Sequence, residues 1–178
     1  MSEQAIKKIL ITGANGFIGG SLMRYYQNQG QAVVGVDLIG NGDDIVEGDI
    51  SQPYSISQLL TESDVIIHTA ALVSNAMQDS DMWRVNVLAT RNLIQAAKEH
   101  SVRRFVQISS IVAYGNSAKG EIDETHPVHA DGGSYVLTKL ASEHVVLSEQ
   151  ANDDIEVVII RPGDAYGPGS RPWIIAPL

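Results

Sequence analysis

The sequence predicts an α/β domain built on a doubly wound parallel sheet. Short, nearly continuous apolar runs, typical of strands buried on both faces, alternate with longer segments of helical periodicity. The first run leads directly into a glycine-rich turn, and each return to the sheet is expected to be a right-handed crossover. The predicted strands are residues 8–12, 32–37, 65–70, 104–110 and 156–162, with a weaker strand within 44–50.

Three segments between these strands are predicted to be helices. One begins near Phe17, and the two clearest cover residues 80–99 and 134–150. Ser80 and Asp81 are the N-cap candidates of the 80–99 helix, because their side chains can accept hydrogen bonds from its first amides. The two long helices are apolar around more than one stripe, which predicts that part of their surface packs against another subunit.

The composition indicates one soluble globular domain: the 178 residues are 44% hydrophobic and 19% charged. A net charge of −9 makes nucleic acid and anionic membrane surfaces unfavourable partners. The chain has no cysteine, which excludes disulfides and thiolate catalysis, and it has no apolar run long enough to span a bilayer. We therefore expect a cytoplasmic protein. His126 and His129 have no third ligand near them in sequence, so no metal site is predicted.

The stretch TGANGFIGG predicts a nucleotide site. It spaces Gly13, Gly16 and Gly19 before a helix, where glycine permits positive φ and lets main-chain amides approach a pyrophosphate. The alternative is a tight strand-to-helix turn without a ligand. Asp37 ends the second strand and favours the nucleotide, because a carboxylate there can accept hydrogen bonds from an adenosine ribose. Residues 38–40 contain no arginine or lysine to hold a 2′-phosphate, which favours NAD over NADP.

Other strand ends add weaker candidates to this site. Asp49 follows the third strand, where it could meet the adenine edge. Ala70 and Ala71 follow the fourth strand and are small enough to let a cofactor lie against the main chain. Each of these positions could equally be a turn or a packing site. His68 is interpreted as a hydrogen-bonded core histidine.

Tyr135 and Lys139 are the candidates for chemistry, because their spacing stacks both side chains on one face of a helix. A chance pair is the alternative, but the pair follows a strand that ends in Ser109 and Ser110, at the sheet edge where ligands bind. Lys139 is expected to lower the pKa of Tyr135 from about 10 toward neutrality, so that the phenol serves as a general acid/base. Ser110 would hold the reacting oxygen while a hydride moves between the carbinol carbon and the nicotinamide.

In this order, the motifs resemble those of the extended short-chain dehydrogenases/reductases, the NAD-dependent epimerase/dehydratase family. The resemblance covers essentially the whole chain and rests on TGANGFIGG, Asp37, GDI, HTAAL, WRVNVLATRNL, ISSIVAYG, YVLTK and RPGDAYGPGSRP. It implies a Rossmann-type sheet with strand order 3-2-1-4-5-6 and helices on both faces. It also implies a homodimer through the helices 80–99 and 134–150, and a small-molecule substrate.

The resemblance further implies a set of cofactor contacts along the carboxyl edge of the sheet. For the pyrophosphate they are Gly13, Gly16, Phe17, Ile18 and Gly19; for the adenosine they are Asp37, Asp49, Ile50, Ala70 and Ala71; near the nicotinamide they are Asn86, Tyr135, Lys139 and Pro162. Counting back four residues from Tyr114 gives Ser110, and not Ser109, as the catalytic hydroxyl beside Tyr135 and Lys139.

Departures from the family pattern narrow the expected reaction. Sugar-nucleotide 4,6-dehydratases carry an Asp-Glu pair after the catalytic hydroxyl, but Ile111 and Val112 stand here and can move no proton. The segment from Leu72 to Ser80 is short, as in hydroxysteroid-dehydrogenase-type and dihydroflavonol-reductase-type members. We therefore expect an NAD-dependent oxidoreductase acting on a secondary alcohol or ketone. The alternatives are a sugar-nucleotide epimerase with tightly bound NAD and a nucleotide-binding module without turnover.

Members of this family usually continue into a lobe that binds the substrate. We therefore expect residues 1–178 to form a single NAD(P)-binding Rossmann domain that lacks this C-terminal lobe, and whether it is active alone is open. The apolar residues Trp173, Ile174, Ile175 and Leu178 would then be exposed, because the lobe that covers them is missing.

Overall fold

The computed structural model describes residues 6–42, 44–73, 78–115, 120–151 and 154–170. Within these residues, six parallel strands form one sheet. The strands are β1 (Ile9–Thr12), β2 (Val33–Asp37), β3 (Ile45–Glu47), β4 (Val65–His68), β5 (Arg104–Ile108) and β6 (Glu156–Ile160). Their order is β3-β2-β1-β4-β5-β6, which confirms the predicted fold class and strand order.

Helical segments connect the strands. They are α1 (Phe17–Asn28), a 3-10 turn (Pro53–Ile56), α2 (Ser57–Glu62), α3 (Asp79–Trp83), a π-helical segment (Arg84–Ala89), α4 (Thr90–Glu99), a second 3-10 turn (Ile111–Tyr114) and α5 (Ser134–Gln150). The predicted helix at 134–150 is therefore confirmed, and the one at 80–99 corresponds to three consecutive segments. The helix α2 is only six residues long and was not predicted from the sequence.

The parallel register brings the carboxyl ends of the strands to one edge. Thr12 at the end of β1 lies opposite Val36 of β2 and His68 of β4, and His68 lies opposite Gln107 of β5. The loops that follow these strands therefore lie side by side. This edge is where ligands of open α/β sheets bind.

The strands are apolar on both faces because helices cover both. On one face, α1 covers a core cluster that includes Ile9, Ile11 and Met23. On the other face, α4 and α5 cover a larger cluster that includes Leu10 and Phe105. Successive residues of a strand point alternately toward the two clusters, as the twofold periodicity of a strand requires.

The start of the 79–99 helix corrects one prediction. Its first segment begins at Asp79 with Gln78 in the capping position, so Ser80 and Asp81 lie inside the first turn and are not the N-cap. No side chain caps this end among the described residues, and Asp79 and Asp81 instead place negative charge at the positive end of the helix dipole.

Some predictions fall on residues that the structure does not describe. The apolar tail Trp173, Ile174, Ile175 and Leu178 lies outside the described residues, and so do residues 74–77 within the short segment from Leu72 to Ser80. In the part of the chain that is described, no helix is both long and apolar enough to cross a bilayer.

Candidate active site

The turn after β1 is packed so tightly that two of its glycines have no room for a side chain. Gly13 has φ +69°, and an added Cβ would lie 2.7 Å from the main chain of Ala70. At Gly19 an added Cβ would collide with the carbonyl oxygen of Gly13. The chain itself therefore requires glycine at both positions, for a left-handed turn and for close contact between helix and strand.

Gly16 is the N-cap of α1, whose first turn offers the polarity that an anion needs. An added Cβ at Gly16 would meet only the carbonyl oxygen of Gly13, at 3.0 Å. Among the described residues, no side chain caps this helix, and its first turn holds no acidic residue. The amides of Phe17, Ile18 and Gly19 thus lack a side-chain acceptor at the positive end of the helix dipole. These residues fit the pyrophosphate of a dinucleotide.

Asp37 ends β2 with its carboxylate directed at the glycine-rich turn. One carboxylate oxygen accepts a hydrogen bond from the amide of Asn15 at 2.9 Å, and the other accepts one from the amide of Leu38 at 2.8 Å. The structure therefore brings Asp37 and the glycine-rich turn together. Leu38 and Ile39 are exposed and apolar, and a carboxylate in these surroundings fits ribose hydroxyls better than a 2′-phosphate.

A groove of about 430 Å³ extends from the same turn along α1. Its helical side includes Phe17, Gly20 and Arg24, and its opposite side includes Asn41 and Asp44. Neither the serines after β5 nor the tyrosine of α5 lines it. The groove therefore adjoins the nucleotide end of the site and does not reach the residues predicted to carry the chemistry.

The residues predicted to contact the adenine differ in burial and in the atoms that a ligand could reach. Asp49 is half-buried, and its carboxylate accepts a hydrogen bond from the amide of Ser51 at 2.8 Å. The side chain of Ile50 is buried in the core, so a ligand would meet its main chain and not its side chain. Ala70 and Ala71 are half-buried after β4, and Ala70 lies against the glycine-rich turn.

The two consecutive serines after β5 have different surroundings. Ser109 is buried, and its hydroxyl donates a hydrogen bond to the carboxylate of Glu143. Ser110 is half-buried, and its Oγ accepts a hydrogen bond from the amide of Val112 at 3.3 Å. Ser110 is also the side chain whose interaction with Tyr135 lowers the pKa of the phenol. The structure thus places Ser110, and not Ser109, beside the phenol.

The relation between Tyr135 and Lys139 corrects the prediction about acidity. Lys139 Nζ lies 6.0 Å from the centroid of the Tyr135 ring and donates a 2.9 Å hydrogen bond to the carbonyl oxygen of Ile108. Burial raises the pKa of Tyr135 above 10.0, and the interaction with Ser110 lowers it by less. The expected pKa near neutrality is therefore wrong for this arrangement, because the ammonium is directed at the main chain and the phenol is desolvated.

Lys139 is itself a buried cation at the carboxyl edge of the sheet. Only 5% of the surface of Lys139 is exposed. Burial lowers the pKa of Lys139 to about 8, and the charge of Glu143 acts in the opposite direction. At neutral pH the ammonium therefore carries its charge, but a modest rise in pH removes it.

Asn86 connects the loop after β4 with the helix that carries Tyr135. Its amide group pairs with both main-chain groups of Leu72, at 2.8 and 3.0 Å, and donates a 3.1 Å hydrogen bond to Thr138 Oγ1. Thr138 in turn donates to the carbonyl oxygen of Tyr135 at 3.1 Å. Asn86 is buried within the π-helical segment Arg84–Ala89, and such segments often occur at functional sites.

His68 is a hydrogen-bonded core histidine, as predicted. Its Nδ1 lies 2.6 Å from Thr12 Oγ1, and its Nε2 lies 2.9 Å from Thr90 Oγ1. Thr90 donates its own proton to the carbonyl oxygen of Asn86, so His68 must donate from Nε2 and accept at Nδ1. Burial, and then the charge of Lys139, lower the pKa of His68 to about 3, which keeps the ring neutral.

Pro162 lies beside the serine end of the site. It follows β6, and its carbonyl oxygen accepts a hydrogen bond from the amide of Ile111 at 3.1 Å. Two residues earlier in both segments, Ser109 donates its amide proton to the carbonyl oxygen of Ile160 at 2.7 Å. The segment after β6 therefore supports the loop that contains Ser110.

Sequence reasoning did not single out Thr138, Glu143 or Arg161, which the structure places around the Tyr135–Lys139 pair. Glu143 had a local signal, because it continues the four-residue spacing of Tyr135 and Lys139 along one face of α5. Arg161 had none, since it follows β6 and meets Glu143 only through the tertiary fold.

Comparison with known proteins is consistent with this geometry. Residues 9–174 match the NAD dependent epimerase/dehydratase family. A UDP-glucose 4-epimerase from Vibrio cholerae is 33% identical over 177 residues, which cover 93% of this chain and 54% of that protein. Sterol demethylase protein B from Methylococcus capsulatus is 34% identical over 180 residues, with 93% and 54% covered. The solved structure of MoeE5 in complex with UDP-glucose and NAD is 33% identical, with a TM-score of 0.85 and with 94% of this chain and 58% of that chain covered.

The chain spans a little more than half the length of these relatives, from 54% of the two curated enzymes to 58% of the MoeE5 chain. The match to the family nevertheless extends over nearly the whole sequence, from residue 9 to residue 174 of 178. It includes the glycine-rich turn, Asp37 and the Tyr135–Lys139 pair. The chain therefore belongs to the NAD-dependent epimerase/dehydratase family.

Proposed function

We propose that this chain is the cofactor-binding and catalytic part of an NAD-dependent oxidoreductase that interconverts a secondary alcohol and a ketone. The observation that carries the proposal is the convergence of Ser110, Tyr135 and Lys139 on the sheet edge that also holds the glycine-rich turn. A hydroxyl, a phenol and an ammonium in this relation can hold one substrate oxygen and exchange a proton with it.

The protein's part in this reaction is proton transfer at the substrate oxygen. Burial keeps the pKa of Tyr135 above 10.0, so the phenol holds a proton that it can donate to a carbonyl oxygen. The hydroxyl of Ser110 beside it would hold the same oxygen. The charge of Lys139 favours the phenolate that remains after the proton has left. NAD, when bound, supplies the hydride donor or acceptor.

The proposed cofactor is NAD and not NADP. The pyrophosphate would lie on the amides of Phe17, Ile18 and Gly19, next to Gly13 and Gly16. Asp37 would accept hydrogen bonds from the adenosine ribose, with Asp49, Ile50, Ala70 and Ala71 beside the adenine. At the other end, Asn86, Lys139 and Pro162 would border the nicotinamide ribose and ring. The start of α1, which no side chain caps among the described residues, supports this orientation.

A second candidate is a sugar-nucleotide epimerase, which would oxidise and reduce the same carbon while retaining NAD. The similarity to UDP-glucose 4-epimerase and to MoeE5 favours it. The similarity to sterol demethylase protein B is equally strong, so identity does not separate the two candidates. Dehydration is disfavoured, because Ile111 and Val112 after the hydroxyl can move no proton. A nucleotide-binding module without turnover is the third candidate.

The substitution Tyr135→Phe separates these candidates. If the proposal holds, calorimetric titration shows NAD⁺ binding to the wild-type chain and to the variant with equal affinity. Turnover of a panel of secondary alcohols and UDP-sugars falls roughly 100-fold or more in the variant, because the general acid is lost. Tyr25→Phe is the matched control, since Tyr25 is an exposed tyrosine on α1.

The other outcomes either support one of the other two candidate functions or contradict the proposal. NAD that stays with the protein through gel filtration, together with interconversion of UDP-sugars, supports the epimerase. Binding of NAD⁺ without turnover of any substrate supports the module without catalysis. A folded chain that does not bind NAD⁺ contradicts the proposal.

We also propose that residues 1–178 form one nucleotide-binding domain, and that this domain pairs with a second copy. The helical segments at 79–99 and α5 pack together and carry large apolar side chains that are exposed in one copy. These side chains are Trp83, Leu88, Leu137 and Leu147. Burial of such a surface against its symmetry mate would form a two-fold interface.

A further inference from the structure

A buried carboxylate lies next to the proposed catalytic pair and has no role in the reaction described above. Glu143 is 2% exposed and sits on α5, four residues after Lys139 and eight after Tyr135. The three side chains therefore share one face of the helix. Burying a carboxylate costs free energy unless the carboxylate is paired and hydrogen-bonded. The partners of Glu143 therefore indicate its role in the site.

The main partner of Glu143 is Arg161, which reaches it from the end of β6. The guanidinium forms a bidentate pair, with Nε 3.0 Å from Oε1 and Nη2 2.7 Å from Oε2. Arg161 Nη1 donates a further 2.8 Å hydrogen bond to the hydroxyl of Tyr114, and the guanidinium lies 4.6 Å from the centroid of that ring. The hydrogen bonds to Glu143 and Tyr114 raise the pKa of Arg161, so its charge is permanent.

The second partner of Glu143 lies at the end of β5. Ser109 donates its hydroxyl proton to Oε1, and its main-chain amide is bonded to Ile160 of β6. Because Ser110 is the next residue, the orientation of the proposed catalytic hydroxyl depends on how Ser109 is held. Glu143 therefore connects α5, β6 and the serine loop at one point.

On the same face of α5, Glu143 is the acidic residue nearest to Lys139 in sequence. The described titratable groups that interact with Lys139 are Tyr135 and Glu143 on α5 and His68 on β4, while Arg161 meets Glu143 from the end of β6. His68 is neutral, because its pKa lies at about 3, and Tyr135 is protonated at neutral pH. Glu143 is thus the anion of this group, and it opposes the effect of burial on Lys139.

We propose that Glu143 is a positioning residue of the site, which fixes the serine loop through Ser109 and supplies the negative charge that keeps the buried Lys139 ammonium in place. Arg161 holds the carboxylate in the orientation that serves both functions. The inference rests on the proposed roles of Ser110 and Lys139, but the relation between the charges of Glu143 and Lys139 can be measured without a substrate.

The test is the titration of Lys139 in the variant Glu143→Gln. Lysine side chains labelled with ¹⁵N are followed by NMR from pH 6 to 11, and the Lys139 signal is identified by its loss in Lys139→Met. We expect the midpoint of Lys139 to fall by about one pH unit or more in Glu143→Gln, the usual size of the effect of a nearby opposite charge. Glu149→Gln is the matched control, because Glu149 is also on α5 and is paired with Lys98.

Two results would overturn the proposal, one for each variant. Equal midpoints in Glu143→Gln and Glu149→Gln overturn the proposal, even if both variants lose thermal stability. If Glu143→Gln does not fold, Arg161→Gln tests a shift of the Lys139 midpoint in the opposite direction. Without the guanidinium the carboxylate of Glu143 acts on Lys139 alone, so the midpoint of Lys139 should rise. An unchanged midpoint overturns the proposal. Titration of the wild-type chain with NAD⁺ is a separate readout, and its failure would sink the proposed function without altering the Lys139 comparison.

Discussion

The ammonium of Lys139 donates a 2.9 Å hydrogen bond to the main-chain carbonyl of Ile108, the last residue of β5. This bond ties the middle of α5 to the end of the central sheet, two residues before Ser110. It explains why the four-residue spacing of Tyr135 and Lys139 does not by itself make the phenol acidic. In this arrangement the lysine holds the geometry of the site, and its ammonium lies 6.0 Å from the centroid of the Tyr135 ring.

Two costs of replacing Gly13 can be measured separately: the cost of steric contact with neighbouring atoms and the cost of its left-handed backbone conformation. Gly13 and Gly30 have nearly the same φ, +69° and +70°, but only at Gly13 would a Cβ meet other atoms. Gly30→Ala should cost about 1 to 2 kcal/mol for the backbone alone. Gly13→Ala should cost a further 1 to 3 kcal/mol or so for overpacking, and should also weaken NAD⁺ binding.

Urea denaturation and calorimetry of both glycine variants measure these quantities. The wild-type chain provides the reference for each, and Gly30→Ala serves as the control for NAD⁺ affinity. Equal losses of stability in the two variants would show that the contact with Ala70 is not the reason for glycine at position 13.

The carboxylate of Asp37 is expected to determine the choice of cofactor. Asp37→Asn removes the charge that accepts ribose hydroxyls, so NAD⁺ affinity should fall roughly 10-fold to 100-fold. The affinity for NADP⁺ should stay the same or rise, because a negative charge near the 2′-phosphate is removed. Parallel calorimetric titrations of both cofactors check this, with Asp123→Asn on an exposed loop as the control. Equal losses for the two cofactors would contradict the assignment.

Neutral His68 should make the fold sensitive to acid. Its pKa is about 3 when folded and 6.5 when unfolded, so below pH 6.5 the unfolded chain binds a proton that the folded chain does not. Stability is therefore complete above about pH 6.5 and is lost as the pH falls toward 3. The contribution is at most about 1.4 kcal/mol per pH unit.

The variant His68→Gln tests this contribution. It cannot titrate, so its free energy of unfolding should fall less steeply between pH 6.5 and 4 than that of the wild type. Denaturant melts at a series of pH values measure the slope, and His144→Gln on the exposed side of α5 is the control. Identical slopes in all three proteins would mean that His68 is already protonated in the fold.

The proposed pairing of two copies can be tested on the exposed apolar surface. Leu88 and Leu147 are 54% and 48% exposed in one copy, on the two helical segments that are expected to form the interface. Leu88→Ser combined with Leu147→Ser should convert a dimer into a monomer, because burying two hydroxyls offsets the apolar gain. Sedimentation at micromolar concentration distinguishes the states, with Tyr25→Ser on α1 as the control. A monomeric wild-type chain would refute the pairing.

The sequence determined the fold because its apolar pattern is local and complete. Each buried strand was visible as a β-branched run, and the alternation with helices leaves few topologies for a parallel sheet. Even the short strand β3 was predicted within 44–50. The errors came at helix ends: Ser80 and Asp81 have good capping side chains, but Asp79 already occupies the first turn. A capping propensity is weak enough for tertiary packing to override it.

The sequence also identified the residues of the candidate site, because glycine spacing, strand-end carboxylates and a Tyr-Lys pair on a helix are short-range patterns. Only the tertiary structure decided how these residues relate to one another. It directed Lys139 to Ile108, buried Tyr135 so that its pKa rises, and brought Arg161 from the end of β6 to Glu143. The physical reason is that burial and charge depend on neighbours that are distant in sequence, and a local pattern carries no information about them.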